Sequence, residues 1–271
     1  FREVIAKYNP ITPVPLSTPI TFKSYGELRC ENKVSLFNTL SSLAQPIETD
    51  IPQPMEKLGQ GYGYILYRAH VGKARELAKA KLADCDDRAQ VFVNQKLIAT
   101  QYKETMGSNI PLTLDHPTDN VIDILVENLG RINYGASLVS PHQRKGIKGG
   151  FMLDLHFHTG WQQYCLELDH VDQVDFTGEY QEGVPAFYQF TVDIEEPADT
   201  FLNLNGWGKG TAFLNGENLG RFWELGPTHY LYIPAPLLKK GRNTIVLFET
   251  EGRTGTVSLD DQPLIDQPQE A

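Results

Sequence analysis

The two halves of this chain match each other. Shifted by 121 positions, Tyr67 falls on Tyr188, Val71 on Val192, Phe92 on Phe213 and Asn94 on Asn215. Leu66-Tyr67 meets Phe187-Tyr188, and Val91-Phe92-Val93-Asn94 meets Ala212-Phe213-Leu214-Asn215. Shifted by 122, Gly130-Arg131 meets Gly252-Arg253, each just after an apolar run. A shared order at a nearly constant offset is the mark of a duplicated structural unit. The unit reads as a strand with Tyr, an alternating strand ending at Asn, and a last strand ending near Gly-Arg.

The local patterns say what kind of unit it is. Thr211-Ala212-Phe213-Leu214 runs into Asn215-Gly216. Asn-Gly after a strand-like run predicts a tight hairpin, because both residues accept positive φ. A second strand then runs through Leu219 and Phe222. Strand patterns also cover Tyr62–Val71, Ala89–Val93, Val121–Val126 (broken only by Asp123) and Phe151–Phe157. Ser35–Leu43 predicts a short helical turn, and Gly72–Leu82 fits a helix or a strand through Leu77–Leu82. The expected fold is all-β, two tandem jelly-roll β-sandwiches. The expected limits are 55–160 and 183–256, joined by a connector at 161–182 and followed by a strand or tail at 257–271. Residues 1–54 read as the end of a helix followed by an extended linker. Within them Val4, Ile5 and Tyr8 share one helical face. Prolines then mark Ile11–Pro19 and Pro46–Pro54 as extended. A chain that opens partway through a helix suggests that something large preceded Phe1.

Composition removes several classes of function. The 271 residues carry a net charge of -10, and Lys and Arg do not cluster. Nucleic acid is therefore not an expected partner. No apolar run reaches the roughly 20 residues of a spanning helix, so no membrane partner is expected either. Cys30, Cys85 and Cys165 suit neither a disulfide framework nor a zinc site. They point weakly to a reducing, cytoplasmic location. No nucleophile elbow, metalloprotease motif or phosphate loop is present. His156 and His158 share a strand face but lack a third ligand, so no metal or other cofactor is expected. Glu195-Glu196 and Asp260-Asp261 point to opposite strand faces, which disfavours a cooperating pair. Trp161, Trp207 and Trp223 offer flat surfaces of the kind sugars stack on, although core packing is the commoner use of such rings. For Trp223, core packing or packing between domains is expected ahead of binding.

Long stretches then resemble a known family. The run Pro185–Glu249, with Met55–Arg68, Val126–Gly135 and Lys145–Gly150, resembles the carboxy-terminal region of glycoside hydrolase family 35 β-galactosidases. The sequence departs from that pattern at Phe213, where the family often has Trp, and at Thr228, where it often has Gln. The resemblance implies a retaining enzyme whose amino-terminal (β/α)8 barrel carries both catalytic glutamates. Phe1–Tyr8 would then be the tail of the barrel's last helix, and this chain would hold no catalytic residue. It further implies β domains that pack on the barrel, rim its mouth and support a homodimer. The partners would be that barrel and, through it, a galactoside. Within Gly130–Gly135 the resemblance singles out Tyr134 to stack on the substrate, and Arg131 to dock the loop. Trp223 is the other candidate for docking. The alternative is an independent, lectin-like carbohydrate-binding module.

Overall fold

The computed structural model describes residues 1–11, 20–76, 79–226 and 229–264. The expected connector at Ile11–Pro19, the Leu77 start of the alternative strand, Thr228 and the last residues of the tail fall wholly or mostly outside them. A short helix, α1 (Arg2–Ile5), opens the chain. Strands β1 (Gly26–Leu28) and β2 (Cys30–Ser35) lead into helix α2 (Leu36–Leu43). Then come β3 (Ile47–Thr49), β4 (Tyr64–His70), β5 (Ala80–Asp86), β6 (Arg88–Val93), β7 (Lys96–Gln101) and β8 (Val121–Glu127). Next are β9 (Gly146–Leu153), β10 (His156–Phe157), β11 (Trp161–Leu166), β12 (Ala186–Ile194) and β13 (Thr200–Asn203). The series ends with β14 (Lys209–Leu214), β15 (Glu217–Trp223), β16 (Tyr230–Ile233), β17 (Gly241–Glu249) and β18 (Val257–Asp260).

These strands form four sheets, ordered β10-β9-β5, β3-β11-β4-β8-β6-β7, β15-β14-β17-β12-β2 and β1-β18-β13-β16. The pairings between strands are antiparallel. Three apolar layers lie between the four sheets. The first joins the three-stranded sheet to the six-stranded one through Tyr67, Val91, Ile124, Phe151 and Trp161. The third joins the five-stranded sheet to the last through Tyr188, Trp207, Ala212, Leu247 and Leu259. The middle layer holds Leu66, Phe92 and Leu125 against Phe213, Val246 and Phe248. The two jelly rolls therefore stack face to face by their larger sheets. This explains why β6 and β14 are buried at every position. A sheet covered on both faces needs apolar residues on both, so its strands lose their alternation.

The duplication is visible strand by strand. Strands β4, β8, β6 and β7 occupy one large sheet in the order that β12, β17, β14 and β15 occupy the other. Phe92 and Phe213 meet in the middle layer, whereas Tyr67 and Tyr188 lie in the two outer layers. The matched Asn turns share their hydrogen bonds. Asn94 and Asn215 both have positive φ, 50° and 53°. Asn94 Nδ2 donates to Asn120 Oδ1 and its Oδ1 accepts from Val121 N, each at 2.9 Å. Asn215 Nδ2 donates to Asn243 Oδ1 at 2.9 Å and its Oδ1 accepts from Thr244 N at 3.1 Å. The expected Asn215-Gly216 hairpin closes β14 on β15.

Several segments differ from the sequence reading. Phe151–Phe157 is two strands, β9 and β10, because Asp154 turns the chain at φ 56°. Gly72–Leu82 holds no described helix, and its strand begins at Ala80. Residues 26–35, expected in a linker, pair instead with the second sandwich: β1 with β18, and β2 with β12. Residues 161–166, expected in a connector, form β11 beside β4. Val4 and Ile5 of α1, and Tyr8 in the turn after it, are exposed.

Candidate functional site

The segment between β8 and β9 carries the residues that the sequence singled out. Its root is held tightly. Asn128 Nδ2 donates to Gly61 O at 3.1 Å, and its Oδ1 accepts from Gly130 N at 2.9 Å. Leu129 N donates to Asp87 Oδ2 at 2.7 Å, and Lys145 Nζ donates to Asp87 Oδ1 at 2.6 Å. Gly130 has φ +109°, a value that costs a side-chain-bearing residue strain. Arg131 pairs with Glu56 and donates to Gly61 O at 2.6 Å. Glu56 also accepts from Lys145 N at 3.0 Å. The guanidinium of Arg131 is thus engaged inside its own sandwich. The matched Arg253 pairs likewise with Glu224 in the second.

Beyond that clamp the loop projects. Tyr134 is 90% exposed. Ile132, Leu138 and Val139 are exposed with it, so a contiguous stretch of chain offers an apolar surface to solvent. Beside the loop lies a hollow of about 830 Å³, lined among others by Tyr102, Arg131, Lys145 and Lys148. Three of its carboxylates, Asp84, Asp86 and Asp87, are paired with lysines. Lys148 holds Asp84 at 2.9 Å and also pairs with Asp86. Burial pulls the Lys148 ammonium down, but the hydrogen bonds it donates to Asp86 and Asp84 outweigh this and raise the pKa. Glu249 is the carboxyl raised to about 7, chiefly by burial. It is fully enclosed, accepting from the backbone N–H of Glu251 and Arg253 at 3.0 Å each.

Trp223 sits elsewhere, between the sandwiches. Its ring lies parallel to Tyr102 of the first sandwich, centroids 6.3 Å apart. Lys209 Nζ, from the neighbouring strand β14, is 4.3 Å from its centroid. Lys209 belongs to a buried ionic cluster that the sequence reading missed. Its ammonium donates to Glu127 Oε1 at 2.7 Å across the middle layer. Glu127 Oε2 is 3.5 Å from Arg88, which also pairs with Glu251. Burial lowers the Lys209 pKa while Glu127 opposes the fall. Arg221, near Trp223 on β15, donates to Asn128 O at 2.5 Å, so the second sandwich touches the root of the Tyr134 loop.

The paired histidines separate. His156 is exposed on β10, whereas His158 packs edge-on against Trp161 and accepts its Nε1–H through the backbone carbonyl at 3.0 Å. Burial lowers the His158 pKa. Among the described residues no three His, Cys, Asp or Glu side chains gather as a metal site would require. No described helix is long and apolar enough to cross a membrane.

Residues 52–167 match the model "Beta-galactosidase, first all-beta domain", and residues 185–243 match "Beta-galactosidase, galactose-binding domain". The Beta-galactosidase of Xanthomonas manihotis is 37% identical over 86% of this chain and 38% of its own length. Beta-galactosidase 17 of Arabidopsis thaliana is 32% identical over 96% of this chain and 42% of its own. The human Beta-galactosidase-1-like protein 2 is 34% identical over 89% and 39%. The chain spans about two-fifths of the length of the curated relatives it matches.

Proposed function

The chain belongs to the β-galactosidase family through its first all-β and galactose-binding domains, and on that premise we propose that it supplies the non-catalytic β domains of an enzyme that removes terminal β-D-galactosyl residues. The domains pack on a catalytic barrel, and Tyr134 reaches the barrel's mouth to stack on the sugar. The observation that carries this reading is the 128–145 loop. Its root is clamped by Asn128, Arg131 and Lys145, while Tyr134 at its tip is 90% exposed. A rigid root with an exposed aromatic tip suits a ring that must meet a ligand held by another body. Ile132, Leu138 and Val139 suit burial against that body.

Two experiments test it. The 271-residue chain should release no nitrophenol from a nitrophenyl β-galactoside. Release by the purified chain would place a catalytic carboxylate pair within these residues and refute the reading. Joined to a β-galactosidase barrel, the chain should support hydrolysis, and Tyr134→Ala should lower kcat/KM by about tenfold, or about 1.4 kcal/mol. An unchanged kcat/KM would remove Tyr134 from the site.

A further inference from the structure

A second polar site interrupts the middle-layer face of the six-stranded sheet. On β4 this face shows Tyr64, Leu66, Arg68 and His70, and on β8 it shows Asp123, Leu125 and Glu127. Tyr64 and Leu66 pack under the facing sheet, but Arg68 and His70 lie beyond it. There Gln162, Arg68, Asp123 and Phe92 form one row across four neighbouring strands. Arg68 Nε donates to Asp123 Oδ1 at 2.7 Å and its Nη2 donates to Oδ2 at 3.2 Å. The Asp123 side chain is 1% exposed and that of Arg68 20%. Burial raises the Asp123 pKa, and Arg68 opposes the rise. Two residues further along, His70 Nδ1 bonds Asp119 Oδ2 at 2.6 Å, and Asp119 Oδ1 accepts from Gly72 N at 3.0 Å.

Packing alone does not call for this arrangement. A buried ion pair is commonly no more stabilising than apolar residues of the same volume. Here two hollows open at Arg68, one of them over Asp123 as well. One, of about 410 Å³, is lined by Phe37, Arg68, His70, Asp119 and Asp123 among others. The other, of about 480 Å³, is lined by Glu48, Asp50, Arg68, His70 and Gln162 among others. They share Arg68, His70 and Gln162. Each is within the size range of small-molecule pockets.

The chemistry of the lining selects the ligand. Arg68 is neutralised by Asp123, and the carboxylates Asp119, Glu48 and Asp50 disfavour an anion. Among the described residues no three His, Cys, Asp or Glu side chains gather as a bound metal ion would require. What remains is a neutral ligand rich in hydroxyls. Planar carboxylate, guanidinium, imidazole and carboxamide groups side by side suit vicinal diols, which donate and accept at adjacent atoms. Phe37 adds an apolar edge, held against Phe92 at 5.3 Å. We infer that this face is a second saccharide site, able to seat two neighbouring rings of a neutral glycan. It is separate from the Tyr134 loop: β4 and β8 pair from Tyr64↔Glu127 at the loop end to His70↔Val121 at this end. Six residues of strand place the two ends about 20 Å apart.

The test is a titration of the whole chain with lactose, cellobiose, maltose and sucrose to about 100 mM, followed by NMR of the His70 and Gln162 side chains. At least one disaccharide should shift both with a millimolar Kd, the weak range expected of a shallow polar site. His70→Ala and Gln162→Ala should each weaken binding at least fivefold while keeping the wild-type melting temperature, since neither side chain is in an apolar core. Tyr134→Ala should leave it unchanged. Absence of a shift with all four sugars overturns the inference. So does binding that survives both variants, or binding that Tyr134→Ala abolishes.

Discussion

Glu249 should make stability fall as the solution is made less acidic. Its carboxyl is buried, and burial raises its pKa from 4.5 to about 7 against the pull of three backbone N–H groups, those of Glu251, Arg253 and Lys209. A group whose folded pKa lies above its unfolded one favours the folded state most when protonated in both states. Below pH about 4.5 that contribution is complete. Between 4.5 and 7 the unfolded chain ionises and the folded one does not, so stability declines; above 7 the loss is complete. A shift of that size is worth about 3 kcal/mol. Urea unfolding at pH 4.5, 5.5, 6.5 and 7.5, run on wild type and Glu249→Gln, isolates it. Gln cannot ionise, so the gap between the two proteins should move by about 3 kcal/mol over that range, in favour of the variant at higher pH. Other groups titrate too, but they cancel in the difference. Gln also sets an amide against the Arg253 N–H, which shifts the whole variant curve without changing its slope. A gap that stays constant within about 0.5 kcal/mol would refute the argument that burial holds this carboxyl neutral.

Three further perturbations follow from the packing. Lys209→Met removes the cation that meets Glu127 across the middle layer at 2.7 Å, and should cost about 3 kcal/mol or more in urea unfolding; a loss below about 1 kcal/mol would mean that Arg88 suffices for Glu127. Asn94→Ala and Asn215→Ala each delete the same two hydrogen bonds, Asn215→Ala also one to Leu237 O at 3.1 Å, and each removes a residue type tolerant of positive φ, so each should cost about 1–3 kcal/mol. Their effects should add in the double variant, because the turns share no partner. Gly210→Ala would place a Cβ 1.9 Å from the Phe248 carbonyl oxygen and 2.7 Å from the Phe222 ring, and should lower the melting temperature well beyond the few degrees of a surface change.

What the sequence reveals follows from the range of the physics involved. The Asn215-Gly216 hairpin is a local matter of φ, so four residues announce it. The duplication is legible because Asn94 and Asn215 do identical work, and so both copies keep the residue. Strand β11 escapes notice because Gln162 and Gln163 break its alternation. Gln163 is nevertheless buried, its Oε1 accepting from Gln53 N at 2.6 Å and its Nε2 donating to Thr49 Oγ1 at 2.8 Å. A polar residue whose partners lie 110 positions away looks like a loop residue in one dimension. The place of β1 and β2 in the second sandwich is hidden for a related reason, since their partners lie more than 150 residues downstream. Asp123 did leave a trace, as the one break in the apolar run Val121–Val126. The identity of its partner, Arg68, depends on strand register, which no local pattern gives.

The middle layer shows how two similar sandwiches acquire one arrangement. Apolar contact between Phe92, Leu125, Phe213 and Phe248 drives the sheets together, but it is non-directional and tolerates sliding. The ionic cluster does not. Glu127 meets Arg88 of its own sheet and Lys209 of the facing sheet at once, and the two contacts coexist in one registration only. The side chains concerned are almost wholly enclosed, so a slipped registration would leave a buried charge unpaired, at a cost of several kcal/mol. The stacking of Tyr102 on Trp223 closes the same end of the interface. From that end Arg221 reaches Asn128 O, the residue that anchors Gly61 and Gly130 at the root of the Tyr134 loop. The second sandwich therefore acts on the loop of the first without forming any part of its tip. Its registration fixes where the root of that loop stands.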